Sequence, residues 1–138
     1  MRLLIQRVKN ASVSVGGVEL SRIGQGLLVL VGVGVEDTDE DMEYLAGKLV
    51  RLRIFDDEQG VMNLDVRQVG GEVLVVSQFT LYGDTKKGYR PSFIKAAKPP
   101  LSVDAYELFL AEMAKHGLKD VQHGEFGAHM QVSLVNEG

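Results

Sequence analysis

A run of apolar residues that becomes polar within one residue limits the possible folds of this chain more than any other segment. Residues 73–76, Val-Leu-Val-Val, are apolar and mostly β-branched, which is typical of a strand buried on both faces of a sheet. The polar residues Ser77, Gln78 and Thr80 follow around Phe79, and Gly83 then breaks the strand. A core strand that ends in hydroxyls and an amide presents these groups on a rigid support, which favours a functional site. A strand that simply runs out into solvent would give the same pattern.

The length and composition predict one soluble domain over residues 1–138. Apolar residues make up 45% of the chain and charged residues 25%, which is ordinary for a globular protein with a real core. The chain has no cysteine, so disulfides, thiolate metal sites and a cysteine nucleophile are excluded. Charge interrupts the first residues too soon for a signal peptide, and no apolar run approaches a membrane span. We therefore expect a cytoplasmic protein without a membrane partner.

Net charge limits any contact with nucleic acid to a local surface. The formal net charge is -4, whereas proteins that coat nucleic acid are usually basic. Residues 85–98 are the exception, since this stretch carries no acid and has two aromatic residues among the basic side chains Lys86, Lys87, Arg90, Lys95 and Lys98. Basic and aromatic residues in one loop suit a ligand with phosphates and a stackable base. A solvated loop around a buried Phe93 is the alternative interpretation.

The hydrophobic pattern predicts an α+β fold in which curled, barrel-like or sandwiched sheets carry two helices outside. Alternating or fully apolar segments indicate strands at 2–9, 11–15, 18–22, 27–33, 61–64, 73–76 and 130–135. Apolar residues at helical spacing indicate helices at about 39–54 and 102–116. Asp37 or Thr38 is expected to cap the first helix, and Ser102 the second.

Three other kinds of site fit the sequence poorly. Gly32 and Gly34 lie between a strand and a helix, but Asp37 stands where a dinucleotide loop needs its third glycine. The spacing of the three histidines, His116, His123 and His129, matches no compact zinc pattern. A Ser-His-Asp triad stays open, although the chain has no Gly-x-Ser-x-Gly elbow. We expect neither a metal nor a cofactor.

Four motifs together resemble the D-aminoacyl-tRNA deacylase family. They occur in the family's order and span essentially the whole chain: Ile5-Gln6-Arg7-Val8, Ser77-Gln78-Phe79-Thr80, Gly88-Tyr89-Arg90-Pro91-Ser92-Phe93, and residues 131–138. The resemblance implies a cytosolic homodimeric hydrolase that cleaves the ester between a D-amino acid and the terminal adenosine of tRNA. It also implies that glycine is removed from alanine tRNA, and that the active site lies at the dimer interface without metal or cofactor.

The resemblance also implies roles for individual residues. Phe79 and Thr80 fall on the catalytic positions of the family's Ser-Gln-x-Thr motif. The expected substrate-binding residues are Ser77, Gln78, Arg7, Met130 and, from the partner subunit, Gly138. The expected tRNA contacts are Lys86, Lys87 and Arg90.

The end of the sequence departs from the family pattern. Gly138 matches the glycine of a Gly-Pro motif with a cis bond, which in the family rejects L-amino acids from across the dimer. The family's proline and a final strand would follow it, so we expect a chain that ends here to lose selectivity, activity or both.

Apart from the resemblance, the residues around Phe79 and Thr80 allow hydrolysis of an aminoacyl ester. An aminoacyl ester is already activated, so a site can work by positioning water and stabilising an oxyanion. Backbone N–H groups at Phe79 and Thr80, freed where the strand leaves the sheet, could supply that stabilisation. The alternatives are an esterase with Thr80 as covalent nucleophile, a non-catalytic module that binds RNA ends, and a dimeric structural protein.

Overall fold

The computed structural model describes residues 1–138 as an α+β domain with two helices, as the sequence predicts. The strands are β1 (Arg2–Val15), β2 (Val18–Ile23), β3 (Gly26–Gly32), β4 (Phe55–Asp56), β5 (Met62–Leu64), β6 (Glu72–Ser77), β7 (Val121–His123) and β8 (Met130–Asn136). The helices are α1 (Asp39–Arg51) and α2 (Leu101–Ala114), and a single 3₁₀ turn spans Phe79–Tyr82. The sequence did not predict the short strands β4 and β7, since two or three residues carry too little periodicity.

Strand β1 is the spine of the main sheet. Its 14 residues form one continuous strand, where the sequence pattern suggested two separate strands. Its first half pairs antiparallel with β3, and its second half pairs with β2 on one edge and β8 on the other. Gly16 and Gly17 make the predicted hairpin turn with φ values of 57° and 81°, which glycine adopts without strain.

The main sheet curls until its ends nearly meet. The strand order is β2-β1-β3-β6-β7, with β8 attached to β1, and β4 and β5 form a separate small sheet. Near the ends of this order, Arg22 N–H in β2 donates to Gln122 Oε1 in β7 across 3.1 Å. The predicted barrel-like architecture is therefore confirmed.

Three neighbouring strands run parallel, and their carboxyl ends define one rim of the sheet. Strand β3 pairs parallel with β6, and β6 pairs parallel with β7. Val31 lies opposite Ser77 at the last position of the β3–β6 register. Ligands in sheets with parallel strands commonly bind beyond these carboxyl ends.

The helices cover the sheet and form the larger part of the core. Their buried side chains join those of β3 and β6 in a cluster of 14 residues that includes Met42, Leu49, Phe109 and Met113. A second cluster of seven buried residues lies among β1, β2, β3 and β6. Burial of these apolar side chains is the main stabilising contribution to the fold.

The helix ends correct two details of the prediction. Thr38 caps α1 through a capping box with Asp41, and the helix stops at Arg51 because Leu52 is extended with ψ 123°. Ser102 is not the cap of α2, because the helix already begins at Leu101 and Pro100 occupies the cap position. The Ser102 hydroxyl is instead buried without a hydrogen-bond partner. Neither helix is long and apolar enough to cross a membrane.

Candidate active site

The strand that carries the polar rim ends earlier than its sequence suggests. Strand β6 stops at Ser77, and Phe79–Tyr82 form a 3₁₀ turn, whereas the sequence predicted an extended chain through Thr80. Gln78 N–H still donates to Val31 O of β3 across 2.7 Å, which makes it the last backbone link to the sheet. After that bond the chain turns away from the sheet edge.

This turn frees the two backbone amides at its start. The hydrogen bonds of the turn begin at Leu81, whose N–H donates to Gln78 O across 3.3 Å, and continue with Gly83 N–H to Thr80 O at 2.9 Å. The N–H groups of Phe79 and Thr80 precede the first possible donor of the turn, so its carbonyls do not satisfy them. Two adjacent free N–H groups can bind an oxygen that carries negative charge.

The side chains of Phe79 and Thr80 are exposed and contact neighbours outside the turn. Phe79 is 56% exposed and makes an edge-to-face contact with Phe93, with 5.1 Å between ring centroids and 78° between planes. The Gln78 side-chain amide donates to the Thr80 hydroxyl oxygen. Neither a histidine nor a lysine contacts Thr80, so the site holds no base for that hydroxyl.

A cavity of about 490 Å³ opens beside the turn. Its lining is mainly apolar and comes from distant parts of the chain, including Val31, Ser77, Phe79, Phe93, Tyr106 and Met130. Ser77, Gln78, Phe79 and Met130, all singled out from the sequence, thus meet at one cavity. Such a lining suits a flat, largely apolar group that is oriented by a few polar contacts.

The basic stretch of residues 85–98, called the basic loop below, lies at the edge of this cavity. Asp84 and Ser92 exchange two backbone hydrogen bonds of 2.8 Å, which close a loop over residues 85–91. Lys86, Lys87 and Arg90 are exposed on this loop, and no carboxylate lies within ion-pair distance of any of them. Lys98, further along, lines the cavity itself. The loop therefore offers unpaired positive charge next to an apolar chamber.

Arg7 and Gly138 lie away from this cavity within the same chain. The Arg7 guanidinium donates to Glu137 O across 2.9 Å and to Ile54 O across 2.5 Å, and Glu137 N–H donates back to Arg7 O at 2.8 Å. Arg7 thus holds the terminal residues against β1. Neither it nor Gly138 lines the cavity beside Phe79.

Sequence reasoning missed part of the cavity wall. The helical spacing assigned Tyr106 to the core, and the structure confirms its burial, yet Tyr106 also lines the cavity together with Phe126. Its hydroxyl donates to Val75 O across 3.2 Å, and burial raises the pKa of Tyr106 to about 12. Tyr106 is therefore neutral and acts as a wall, not as an acid or base. An apolar helical stripe gives no signal that separates a cavity wall from the core.

The histidines take no part in this arrangement. His123 and His129 are exposed, and His116 lies beside Gly47 of α1. No group of three or more His, Asp or Glu side chains stands close enough together to hold a metal ion.

Comparison with known proteins gives consistent matches along the whole chain. A family model described as D-Tyr-tRNA(Tyr) deacylase matches residues 4–138. The chain is 56% identical to a D-aminoacyl-tRNA deacylase of Thermosipho africanus and 54% identical to one of Parabacteroides distasonis. Each alignment covers 100% of this chain and 92% of the relative.

Two solved structures share the fold. The protein described as c-Myc DNA Unwinding Element Binding Protein superposes with a TM-score of 0.93 at 39% identity, over 100% of this chain and 93% of that one. A probable eukaryotic D-amino acid tRNA deacylase superposes with a TM-score of 0.81 at 18% identity, over 99% of this chain and 94% of that one. At the lower identity the likeness concerns the fold alone.

Proposed function

Since the chain belongs to the D-Tyr-tRNA(Tyr) deacylase family, we propose that it cleaves its substrate at the cavity beside Phe79 and Thr80. The chain is a hydrolase that acts on the ester bond of D-aminoacyl-tRNA. The observation that supports this location is the pair of free N–H groups at the start of the 3₁₀ turn, where Phe79 lines the apolar cavity and Thr80 follows it directly without lining it.

The free amides can accelerate ester hydrolysis without a side-chain nucleophile. Attack on the ester carbonyl moves negative charge onto its oxygen, and fixed N–H donors stabilise that charge more in the transition state than in the ground state. In this proposal the N–H groups of Phe79 and Thr80 receive the oxygen, and water attacks the carbonyl carbon. Removing one such donor in other enzymes costs about 10²–10³ in rate.

The cavity and the basic loop can hold the end of the tRNA. An adenine ring is flat and has apolar faces, so it fits a cavity lined by Phe93, Tyr106 and Met130. Lys86, Lys87 and Arg90 would then contact backbone phosphates outside the cavity. Concentrating positive charge there allows tRNA binding although the chain carries a net charge of -4.

A second copy of the chain completes the proposed site. Arg7 holds residues 137 and 138 away from the chain's own cavity. In a homodimer, Gly138 of the partner subunit would enter the cavity and contact the substrate. We extend the proposal to glycine misattached to alanine tRNA, because glycine has no side chain for any wall to reject. We also propose that the protein acts in the cytoplasm.

Turnover of D-Tyr-tRNA tests the proposed activity directly. The purified protein is expected to release D-tyrosine with multiple turnovers, and mock-treated D-Tyr-tRNA is the control. A module that only binds RNA ends would retain tRNA on a filter without releasing the amino acid, and that result would refute the proposal. A structural protein would neither bind nor hydrolyse the substrate.

A further inference from the structure

We propose that Arg2 is a positioning residue for the reaction, because it holds the 3₁₀ turn that carries the Phe79 and Thr80 amides. The inference rests on the proposed function of those amides. Arg2 is the first residue of β1 and lies 77 positions before Phe79 in the chain. It does not line the cavity, so its effect on catalysis would pass through the turn.

Two contacts join Arg2 to consecutive residues of the turn. One guanidinium nitrogen donates to Leu81 O across 2.7 Å. The guanidinium carbon lies 4.5 Å from the centre of the Tyr82 ring, within the range of a cation–π contact. Leu81 O belongs to the end of the turn, where carbonyls have no partner inside a helix. Arg2 therefore supplies the missing donor and also fixes the neighbouring ring.

Two glycines also lie against the turn. A Cβ atom on Gly32 would lie 3.1 Å from Leu81 Cβ and 3.2 Å from Gln78 O. A Cβ atom on Gly34 would lie only 2.7 Å from the Tyr82 hydroxyl. The turn thus rests directly on bare backbone. The Gly32-Val33-Gly34 sequence resembles part of a nucleotide-binding loop, but its glycines serve as a packing surface for the turn.

The loop that bears Gly34 is itself fixed. The Asp37 carboxylate accepts a hydrogen bond from Gly34 N–H at 2.7 Å and contacts the Met1 amino group. Gly34 is thereby held in place beside Tyr82. The Tyr82 end of the turn consequently contacts both a fixed loop and the Arg2 guanidinium.

The turn depends on these contacts because it has little burial of its own. None of its four residues is buried, and only Leu81 and Tyr82 are half-buried. Donors aimed at a developing oxyanion must be placed to within tenths of an ångström, and small misplacements cost large factors in rate. Loosening the Leu81–Tyr82 end should therefore lower kcat, while substrate binding through the cavity and basic loop stays nearly constant.

Arg2→Met is the direct test, since methionine keeps length and apolar contact but removes the donor and the charge. We expect kcat for D-Tyr-tRNA to fall about tenfold with KM within about twofold of wild type. Arg2→Lys keeps a charge over the ring and one donor, so it should restore part of the loss. Gly34→Ala should also lower kcat, because the added Cβ atom displaces Tyr82.

Two matched variants control for nonspecific effects. Arg22→Met removes an arginine of β2 that pairs only with exposed Glu19. Gly47→Ala adds a Cβ atom in α1 that would lie 2.8 Å from the end of the long Arg51 side chain, not against the turn. Both should leave kcat within twofold of wild type. Equal losses in Arg2→Met and Arg22→Met, or wild-type kcat in Arg2→Met, would overturn the proposal.

Amide NMR separates this inference from the proposed function. In Arg2→Met the Phe79 and Thr80 amide resonances should shift or broaden, whereas those of α1 should stay in place. Unchanged Phe79 and Thr80 resonances would overturn the positioning role even if activity fell. If wild type fails to hydrolyse D-Tyr-tRNA, the proposed function fails, and the resonances alone decide whether Arg2 holds the turn.

Discussion

At the scale of single residues, Thr80 offers two groups for catalysis, its side-chain hydroxyl and its backbone N–H. Its surroundings favour a role for the backbone N–H. The hydroxyl oxygen accepts a hydrogen bond from Gln78, and no base contacts it. A hydroxyl attacks an ester at neutral pH only when an adjacent base removes its proton. The backbone N–H of Thr80, by contrast, is free at the start of the turn.

Replacing Thr80 by valine distinguishes these two roles. Valine keeps the shape and the backbone N–H, so Thr80→Val should retain deacylation within about tenfold of wild type, whereas loss of a true nucleophile or base costs more than about 10². Rapid-quench measurement of D-Tyr-tRNA hydrolysis gives the rate. An acyl-enzyme ester trapped on Thr80 of the wild type would reverse the assignment.

At the scale of elements, the basic loop and helix α2 contribute differently to the site. The loop carries positive charge. The two backbone hydrogen bonds between Asp84 and Ser92 close the loop and keep that charge next to the cavity. Helix α2 presents a wall, because Tyr106 packs over β6 and donates to Val75 O. The loop should therefore control affinity for tRNA, and the helix should control the stability of the cavity.

Charge reversal in the loop tests its contact with tRNA. Lys86→Glu combined with Lys87→Glu should weaken tRNA binding and lower the slope of log K against log salt by about one to two units, because two phosphate contacts are lost. The control is Lys48→Glu with Lys119→Glu, which changes the net charge equally at unpaired lysines outside the loop. Equal effects from both pairs would show that only net charge matters.

The buried hydroxyl of Tyr106 makes stability depend on pH at the alkaline end. Its pKa is about 12 in the folded chain and 10.0 ordinarily, because burial disfavours the phenolate. The neutral form thus stabilises the fold fully below pH 10, and this stability is lost as pH rises towards 12. Urea unfolding should show a decline above pH 10 that is smaller in Tyr106→Phe. At pH 7 that variant should lose about 1 kcal/mol, from one hydrogen bond.

The sequence predicted those parts of the molecule that local pattern determines. The apolar run before Ser77, both helices and the Gly16–Gly17 turn have their signals within a few neighbouring residues. The 3₁₀ turn was not predicted, because its contacts are with Arg2, Gly32 and Gly34, which are distant in the chain. The cavity wall was predicted only in part for the same reason, since Tyr106 and Met130 meet Ser77 through tertiary packing.

At the scale of the whole molecule, one chain does not unite all the residues of the proposed site. Arg7 and Gly138 lie together, and the cavity lies elsewhere. Strand β8 also exposes Leu134 at 39% and Val135 at 47%, which suits an apolar contact with another copy.

We therefore expect a dimer at micromolar concentration. Sedimentation velocity should give a species of about twice 15.1 kDa. Leu134→Lys should shift it towards monomer and reduce deacylation in parallel, because the substituted lysine places charge in the apolar contact. Val18→Lys, at a more exposed apolar residue of the β1–β2 hairpin, is the control. A monomer with undiminished activity would contradict the shared site.

An amide NMR titration shows whether the Phe79 and Thr80 amides hold the substrate carbonyl. The ligand is a stable D-tyrosyl-adenosine analogue in which an amide replaces the ester. If the Phe79 and Thr80 N–H groups bind the substrate carbonyl, their proton resonances should move downfield as the analogue binds. Resonances of the cavity wall at Phe93 and Met130 report occupancy independently. If those wall resonances shift while the Phe79 and Thr80 amides stay unchanged, the carbonyl is held elsewhere and the account is contradicted.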